Sequence, residues 1–151
     1  MAPTIVALLT SMRFFLVRHG QDDFYLGKES RGLGEARKAA VKISRFRKEA
    51  QKPISILSSP IERALQTAHI IARELNITQI DSHDLLLESA TPTLDDLENI
   101  LNADTIRIVV THMPTIQCIL NMIDMRHAMR LAMPTGCAFH VDTNSREIIA
   151  L

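Results

Sequence analysis

The chain has 151 residues, and its 17 basic and 17 acidic side chains give no formal net charge. This length fits one domain with a sizeable core. The balanced charge gives no indication of general binding to nucleic acid or to an anionic membrane. Cys118 and Cys137 lie far apart without the spacing of a metal site, so we expect a reduced, cytoplasmic protein. We also expect no cofactor.

The N-terminal segment, residues 1–11, is mildly apolar but lacks the basic region and the long apolar region of a signal peptide. No stretch of the sequence approaches the length of a membrane-spanning helix. Because Met12 directly precedes the first predicted strand, we interpret residues 1–11 as a flexible extension or a mis-called start. Residues 12–151 are then a single domain.

Strand-like and helix-like segments alternate along the chain, each short apolar run leading into a helical pattern. This order predicts an α/β three-layer sandwich, with a mainly parallel central sheet, helices on both faces and a C-terminal hairpin. The predicted strands are 14–17, 54–57, 77–80 and 106–110. The predicted helices are about 34–50, a helix that follows the second strand and ends near 75, 94–101, and a helix that follows the strand at 106–110 and ends near 123. Residues 138–141 and 147–151 are predicted to form a hairpin.

The helix that follows the second strand has a clear N-terminal pattern. Ser59 is predicted to cap it, with Pro60 in its first position and Glu62 completing a capping box. Arg63 lies off the apolar stripe of this helix, in the first turn, where a cation is unfavourable for the helix dipole. Because this unfavourable position is not offset by any local stabilising contact evident in the sequence, we expect Arg63 to have a role in ligand binding.

Two histidines directly follow apolar strands, and this separates them from the other four. His19 comes after residues 14–17 together with Arg18, and His112 comes after residues 106–110. Ligand sites of parallel α/β sheets form just beyond the carboxyl ends of the strands. We therefore expect two imidazoles and two guanidinium groups at one sheet edge. The other histidines, interpreted as surface or partly buried residues, are His69, His83, His127 and His140.

This set of groups suits phosphoryl transfer. Guanidinium groups match phosphate oxygens with paired donors, and a neutral imidazole nitrogen can attack phosphorus and divide the reaction into two easier steps. Metal binding is the competing use of two histidines. It is disfavoured because two neighbouring arginines would repel a divalent cation and no cluster of carboxylates accompanies them.

Three segments of the sequence resemble the signature blocks of the histidine phosphatase superfamily, which includes the cofactor-dependent phosphoglycerate mutases. They occur in the family's order and at its spacing. The three are Leu16-Val17-Arg18-His19-Gly20-Gln21, then Ser58-Ser59-Pro60-Ile61-Glu62-Arg63-Ala64-Leu65-Gln66-Thr67-Ala68, and finally Thr111-His112-Met113-Pro114. A fourth region, around Gly34, departs from the family's usual helix start.

The resemblance implies a role for each site residue. His19 would be the nucleophile that becomes phosphorylated, Arg18 and Arg63 would bind the phosphoryl oxygens, and His112 would stabilise the transferring group. Glu88 lies where many members of the family carry a general acid. The sequence is equally compatible with Glu88 being a surface carboxylate. The resemblance also suggests secondary contacts with the phosphoryl group for Gln21, Ser59 and Thr111.

The chain is too short for the helical subdomain that larger members insert over the pocket, so we expect an open site. An open site suits a phosphorylated side chain of another protein, and the pattern is most similar to the small SixA-like phosphohistidine phosphatases. Their implied substrates are histidine-phosphotransfer domains. Two alternatives stay open: a phosphomonoesterase acting on a sugar or nucleotide phosphate, and a non-catalytic module that binds phosphate.

Overall fold

The computed structural model describes residues 11–47, 53–101 and 104–151. Apart from Ser11, the proposed N-terminal extension lies outside these ranges. The strands are β1 (Arg13–Arg18), β2 (Ile54–Ser58), β3 (Ile80–Ser82), β4 (Ile106–Thr111), β5 (Ala138–Asp142) and β6 (Glu147–Ala150). The helices are α1 (Arg31–Phe46), α2 (Glu62–Leu75), α3 (Leu94–Ile100) and α4 (Met113–Ala128), with short 3-10 helices at Phe24–Glu29 and Asp84–Leu86.

The six strands form one sheet in the order β3-β2-β4-β1-β5-β6. Strands β3, β2, β4 and β1 are parallel to one another, whereas β5 is antiparallel to β1 and forms a hairpin with β6. The predicted α/β class, with its mainly parallel sheet and C-terminal hairpin, is confirmed. Because β5 is reversed, the residues that precede it lie at the carboxyl edge of β1.

Apolar side chains of β1 alternate between the two faces of the sheet and contribute to two separate cores. Phe14 and Leu16 belong to the cluster that contains Ile116 and Ile119 of α4. Phe15 and Val17 belong to the cluster that contains residues of α1 and α2. Helices therefore cover both faces, as predicted. None of the helices in the described ranges has the length and apolar character that a bilayer-crossing segment needs.

Helix α1 begins at Arg31, three residues before the predicted start at Gly34. The Ser30 hydroxyl accepts the N–H of Leu33, and the carboxylate of Asp23 accepts the N–H groups of Arg31 and Gly32. These acceptors satisfy backbone donors that the first turn leaves free, so the helix extends further toward its N-terminus. Helix α1 ends at Phe46, and the predicted end near residue 50 lies outside the described residues.

The predicted capping box of α2 is wrong. The helix begins at Glu62 with Ile61 as its N-cap and without a side-chain cap, and Pro60 precedes the helix. The Ser59 hydroxyl instead lies 2.8 Å from Nε2 of His112. A side chain that contacts the neighbouring strand end is drawn away from the free N–H groups of the first helical turn.

Two further boundaries differ from the prediction. Residue Ile77 completes the end of α2, because its N–H donates to the carbonyl of Ala72 after a left-handed Asn76; strand β3 therefore starts at Ile80. Helix α4 reaches Ala128, although its backbone is non-helical at Asp124. The predicted end near residue 123 thus coincides with a break inside the helix and not with its end.

Candidate active site

The four predicted site residues converge at the carboxyl edge of the parallel strands. Arg18 ends β1 and His19 follows it, His112 follows β4, and Arg63 is in the first turn of α2 after β2. Because β2, β4 and β1 are adjacent, their ends meet. The ring centroids of His19 and His112 are 5.1 Å apart, and Nε of Arg63 is 3.3 Å from Nε2 of His19.

The geometry around His19 fixes which ring nitrogen carries the proton. Its Nδ1 lies 2.8 Å from the carbonyl oxygen of Gly20, which can only accept, so Nδ1–H is the donor. The lone pair is then on Nε2, where it accepts the Nε–H of Arg63. Burial lowers the pKa of His19 against the opposing effect of the Gly20 hydrogen bond, and the charges of Arg63 and Arg18 lower it further. The imidazole is therefore neutral and nucleophilic at Nε2 near pH 7.

His112 is more deeply buried, with 1% of its surface exposed. Its Nε2 contacts the Ser59 hydroxyl, which also accepts the N–H of Ile61 at 3.3 Å. Its Nδ1 is buried without a hydrogen-bond partner in the structure. Burial, with the nearby charges of His19 and Arg63, lowers the pKa of His112 to about 4. This second imidazole is thus also neutral near pH 7.

The low pKa of His112 leads to a prediction about stability. Its ordinary pKa is 6.5 and its pKa in the folded protein is about 4. Between these values the unfolded chain binds a proton that the folded protein excludes, so the free energy of unfolding falls as the pH is lowered through this window. We expect His112→Gln to remove about 3 kcal/mol of that decrease.

The measurement is denaturant unfolding at several pH values between about 4 and 7 for the wild type, His112→Gln and the exposed His69→Gln. His69→Gln should retain the full slope. If His112→Gln shows the same slope as the wild type, His112 is not the group that excludes the proton.

The two arginines are held differently. The Nη1 of Arg18 donates to the carbonyl of Met133 at 2.6 Å, and its Nε is buried without a partner. The Nη2 of Arg63 forms an ion pair of 3.0 Å with Glu88, whose side chain is 59% exposed. Such an exposed pair contributes little to stability. A cleft of about 420 Å³, lined by Ile61, Arg63, Leu87, Glu88 and Ser89, lies beside the pair.

The predicted secondary contacts have other partners in the structure. Gln21 is exposed, and its backbone N–H donates to Glu35. The hydroxyl of Ser59 contacts His112, and the hydroxyl of Thr111 donates to the carbonyl of Leu86. Their contact with a phosphoryl group stays a prediction.

Several supporting groups were not predicted from the sequence. The hydroxyl of Thr67 accepts the N–H of Gly20, and the carbonyl of Met133 holds Arg18. Gly32 approaches the backbone so closely that a Cβ there would lie 2.1 Å from the carbonyl oxygen of Gln21. Gly34, the residue that drew attention in the sequence, has nothing within 4 Å of such a Cβ. The two glycines near the start of α1 are the signal in the sequence that a close backbone contact occurs there. The glycine that makes the contact is Gly32 and not Gly34.

Two buried nitrogen atoms of the site, Nε of Arg18 and Nδ1 of His112, have no hydrogen-bond partner in the described part of the chain. Phosphoryl oxygens are acceptors that can satisfy them. Within residues 11–47, 53–101 and 104–151, no group of three or more histidine, cysteine, aspartate or glutamate side chains is arranged to hold a metal ion. Two imidazoles and two guanidinium groups at a parallel sheet edge define an α/β enzyme of the phosphoryl-transfer class.

Comparison with known families gives the same class. The family model of the histidine phosphatase superfamily (branch 1) matches residues 14–99. The chain belongs to this superfamily, and it is a phosphatase of the type that uses a histidine nucleophile. No curated protein sequence matches the chain significantly.

Solved structures share the fold at low sequence identity. A protein from Agrobacterium tumefaciens assigned as the phosphohistidine phosphatase SixA is 22% identical with a TM-score of 0.67, over 87% of this chain and 91% of that one. The protein histidine phosphatase SixA complexed with tungstate is 20% identical with a TM-score of 0.63, over 93% and 94%. A phosphoglycerate mutase from Plasmodium falciparum is 20% identical with a TM-score of 0.61, over 94% and 89%.

Proposed function

We propose that the protein hydrolyses phosphohistidine in other proteins through a phosphorylated His19. The observation that carries the proposal is the fixed tautomer of His19. The Gly20 carbonyl holds the Nδ1 proton, and the lone pair on Nε2 accepts the Nε–H of Arg63. A nucleophile oriented in this way beside cationic donors is what attack on a phosphoryl group requires.

The reaction then has two steps. Nε2 of His19 attacks phosphorus, a P–N bond forms, and the bond to the leaving group breaks as that group receives a proton. Water then attacks the phosphorylated His19, the P–N bond breaks, and inorganic phosphate leaves. Arg63 gives up its hydrogen bond to Nε2 and donates to the phosphoryl oxygens together with Arg18. These charges stabilise the oxygens through the transition state of each step.

Ser59 gives His112 its role in this scheme. The Ser59 oxygen accepts the N–H of Ile61 and lies 2.8 Å from Nε2 of His112. We assign the Ser59 hydroxyl proton to that nitrogen, which makes Nε2 the acceptor. With Nε2 as the acceptor, Nδ1 carries the ring proton. That N–H has no partner in the structure, so it is free to donate to a phosphoryl oxygen.

The segments around the site support a protein as the substrate. Between α2 and α3 the chain forms only the short strand β3 and a 3-10 helix, and between α4 and β5 it forms the loop 129–137. These segments supply no helical subdomain over the site, so a protein surface can approach it. The neighbours named as phosphohistidine phosphatases are consistent with a histidine-phosphotransfer domain as the substrate.

A small phosphomonoester is the second candidate, and Glu88 favours it. The carboxylate lies beside Arg63 at the cleft. A carboxylic acid at this place can protonate an alkoxide leaving group, which a phosphomonoester needs more than a phosphohistidine does.

A substrate panel distinguishes the candidates. We expect kcat/KM for a phosphohistidine-carrying phosphotransfer protein to exceed that for sugar and nucleotide phosphates by about 10²-fold, since the imidazole leaving group depends less on an acid. A short peptide that carries the same phosphohistidine has the reacting group without the folded surface. Comparing its kcat/KM with that of the whole protein separates the contribution of the reaction from that of docking. A preference for one small phosphomonoester selects the second candidate, and vanadate binding without any turnover identifies a binding module.

A further inference from the structure

We propose that Glu35 is a positioning residue that holds the segment around the phosphate-binding arginine Arg18 in place. The inference rests on the proposed role of Arg18 in binding phosphate. Glu35 is half-buried on α1 and bridges two segments with its two carboxylate oxygens. Oε1 accepts the backbone N–H of Gln21 at 2.8 Å, and Oε2 accepts the hydroxyl of Thr135 at 2.8 Å.

The segment that contains Thr135 surrounds Arg18 with main-chain groups. The carbonyl of Met133 accepts Nη1 of Arg18, and the carbonyl of Cys137 accepts its backbone N–H at 3.0 Å. The N–H of Gly136 is shared between the carbonyls of Arg18 and His19 at 3.1 Å each. The position of residues 133–137 therefore determines where the guanidinium group lies.

Gly136 of this segment packs directly against Glu35. Gly136 has a φ of +78°, and a Cβ there would lie 2.6 Å from Cβ of Glu35. Only glycine adopts that backbone conformation without strain and also permits so close an approach. On its other side the carboxylate holds Gln21, two residues after the nucleophile. One side chain thus ties the loop after His19 to the segment that orients Arg18.

The role proposed for Glu35 rests on its two hydrogen bonds and not on its charge. The charged side chains that affect the pKa of His19 are Arg63, Arg18 and Glu88. A glutamine at position 35 preserves both bridging contacts, because its carbonyl oxygen can accept the N–H of Gln21 and its amide can donate to the Thr135 oxygen. Glutamine should therefore replace glutamate with little loss.

The test measures orthovanadate affinity by isothermal titration calorimetry. We expect Glu35→Ala to weaken binding about tenfold, which is the effect of losing one or two positioning hydrogen bonds. Glu35→Gln should remain within about twofold of the wild type. Thr135→Val removes one hydrogen bond at constant shape, and its vanadate affinity should lie between those of the two Glu35 variants. Adding Thr135→Val to Glu35→Ala should cause no further loss of affinity, because the two side chains share one contact. Glu74→Ala, on the exposed face of α2, is the matched control and should bind as the wild type does.

A second measurement records the Nε–H resonance of Arg18 by NMR without any ligand. We expect it to shift in Glu35→Ala and Thr135→Val but not in Glu35→Gln or Glu74→Ala. Thr135→Val and the resonance keep the proposal testable if Glu35→Ala fails to fold. Wild-type affinity in Glu35→Ala with an unchanged resonance would overturn the positioning role of Glu35, as would an equal loss in Glu35→Gln. A wild type that does not bind vanadate would instead overturn the proposed function, and the resonance alone would then decide the positioning role.

Discussion

His19→Ala is expected to abolish turnover. Removing a catalytic nucleophile that acts together with its partner groups lowers kcat by on the order of 10⁵–10⁶-fold, and no neighbouring group of the site can replace Nε2 of His19. His112 is the nearest imidazole, but its Nε2 contacts Ser59. The variant should also lose the phosphoryl-enzyme, which rapid quench with a labelled phosphohistidine substrate traps as an acid-labile, alkali-stable species.

His69→Ala provides the control, because His69 is an exposed histidine on α2. It should keep wild-type turnover and a wild-type amount of trapped phosphoryl-enzyme. Labelling that persists in His19→Ala would show that another side chain accepts the phosphoryl group. Labelling that disappears while turnover remains would indicate direct attack by water.

Glu88→Gln is expected to slow hydrolysis of alkyl phosphomonoesters by about 10²–10⁴-fold, the contribution of a positioned general acid. Hydrolysis of phosphohistidine should change far less, because the departing imidazole can itself be protonated. The comparison is of kcat/KM for both substrates in the wild type and in the variant.

Glu88→Gln also removes the ion pair with Arg63, so a matched control is needed. Glu74 and Arg37 form a comparable exposed pair at 3.4 Å, and Glu74→Gln should leave both reactions unchanged. Equal losses on the two substrates in Glu88→Gln would mean that Glu88 acts by holding Arg63 and not as an acid. No loss on either substrate would leave Glu88 as a surface carboxylate.

The sheet edge and the four converging residues could be predicted because they depend on local patterns. Each of β1, β2 and β4 is a short apolar run that leads into a helical pattern, and strands joined through helices in this way run parallel in one sheet. Their carboxyl ends then meet whatever the exact register is. The positions of Arg18, His19, Arg63 and His112 relative to those ends were therefore sufficient to place them in one site.

The supporting groups could not be predicted in this way. Arg18 is held by a main-chain carbonyl, which every residue has, so the identity of Met133 does not indicate this contact. The pairing of β5 with β1 is a long-range contact that apolar patterning does not specify. Ser59 had two possible partners, the helix that follows it and His112, and its local sequence favoured the wrong one. Similarly, Gly32 and Gly34 differ only in what the fold brings against them.

The reversed direction of β5 has a consequence for the order in which activity arises during synthesis. The contact between Arg18 and Met133 joins residues 115 positions apart. Most of the chain, including Met133, must therefore have emerged from the ribosome before the guanidinium group of Arg18 can be oriented. Contacts of such long range also form slowly in folding. A nascent chain that already displays His19 and Arg63 should consequently have no phosphatase activity, and active enzyme should appear only after synthesis has passed β5.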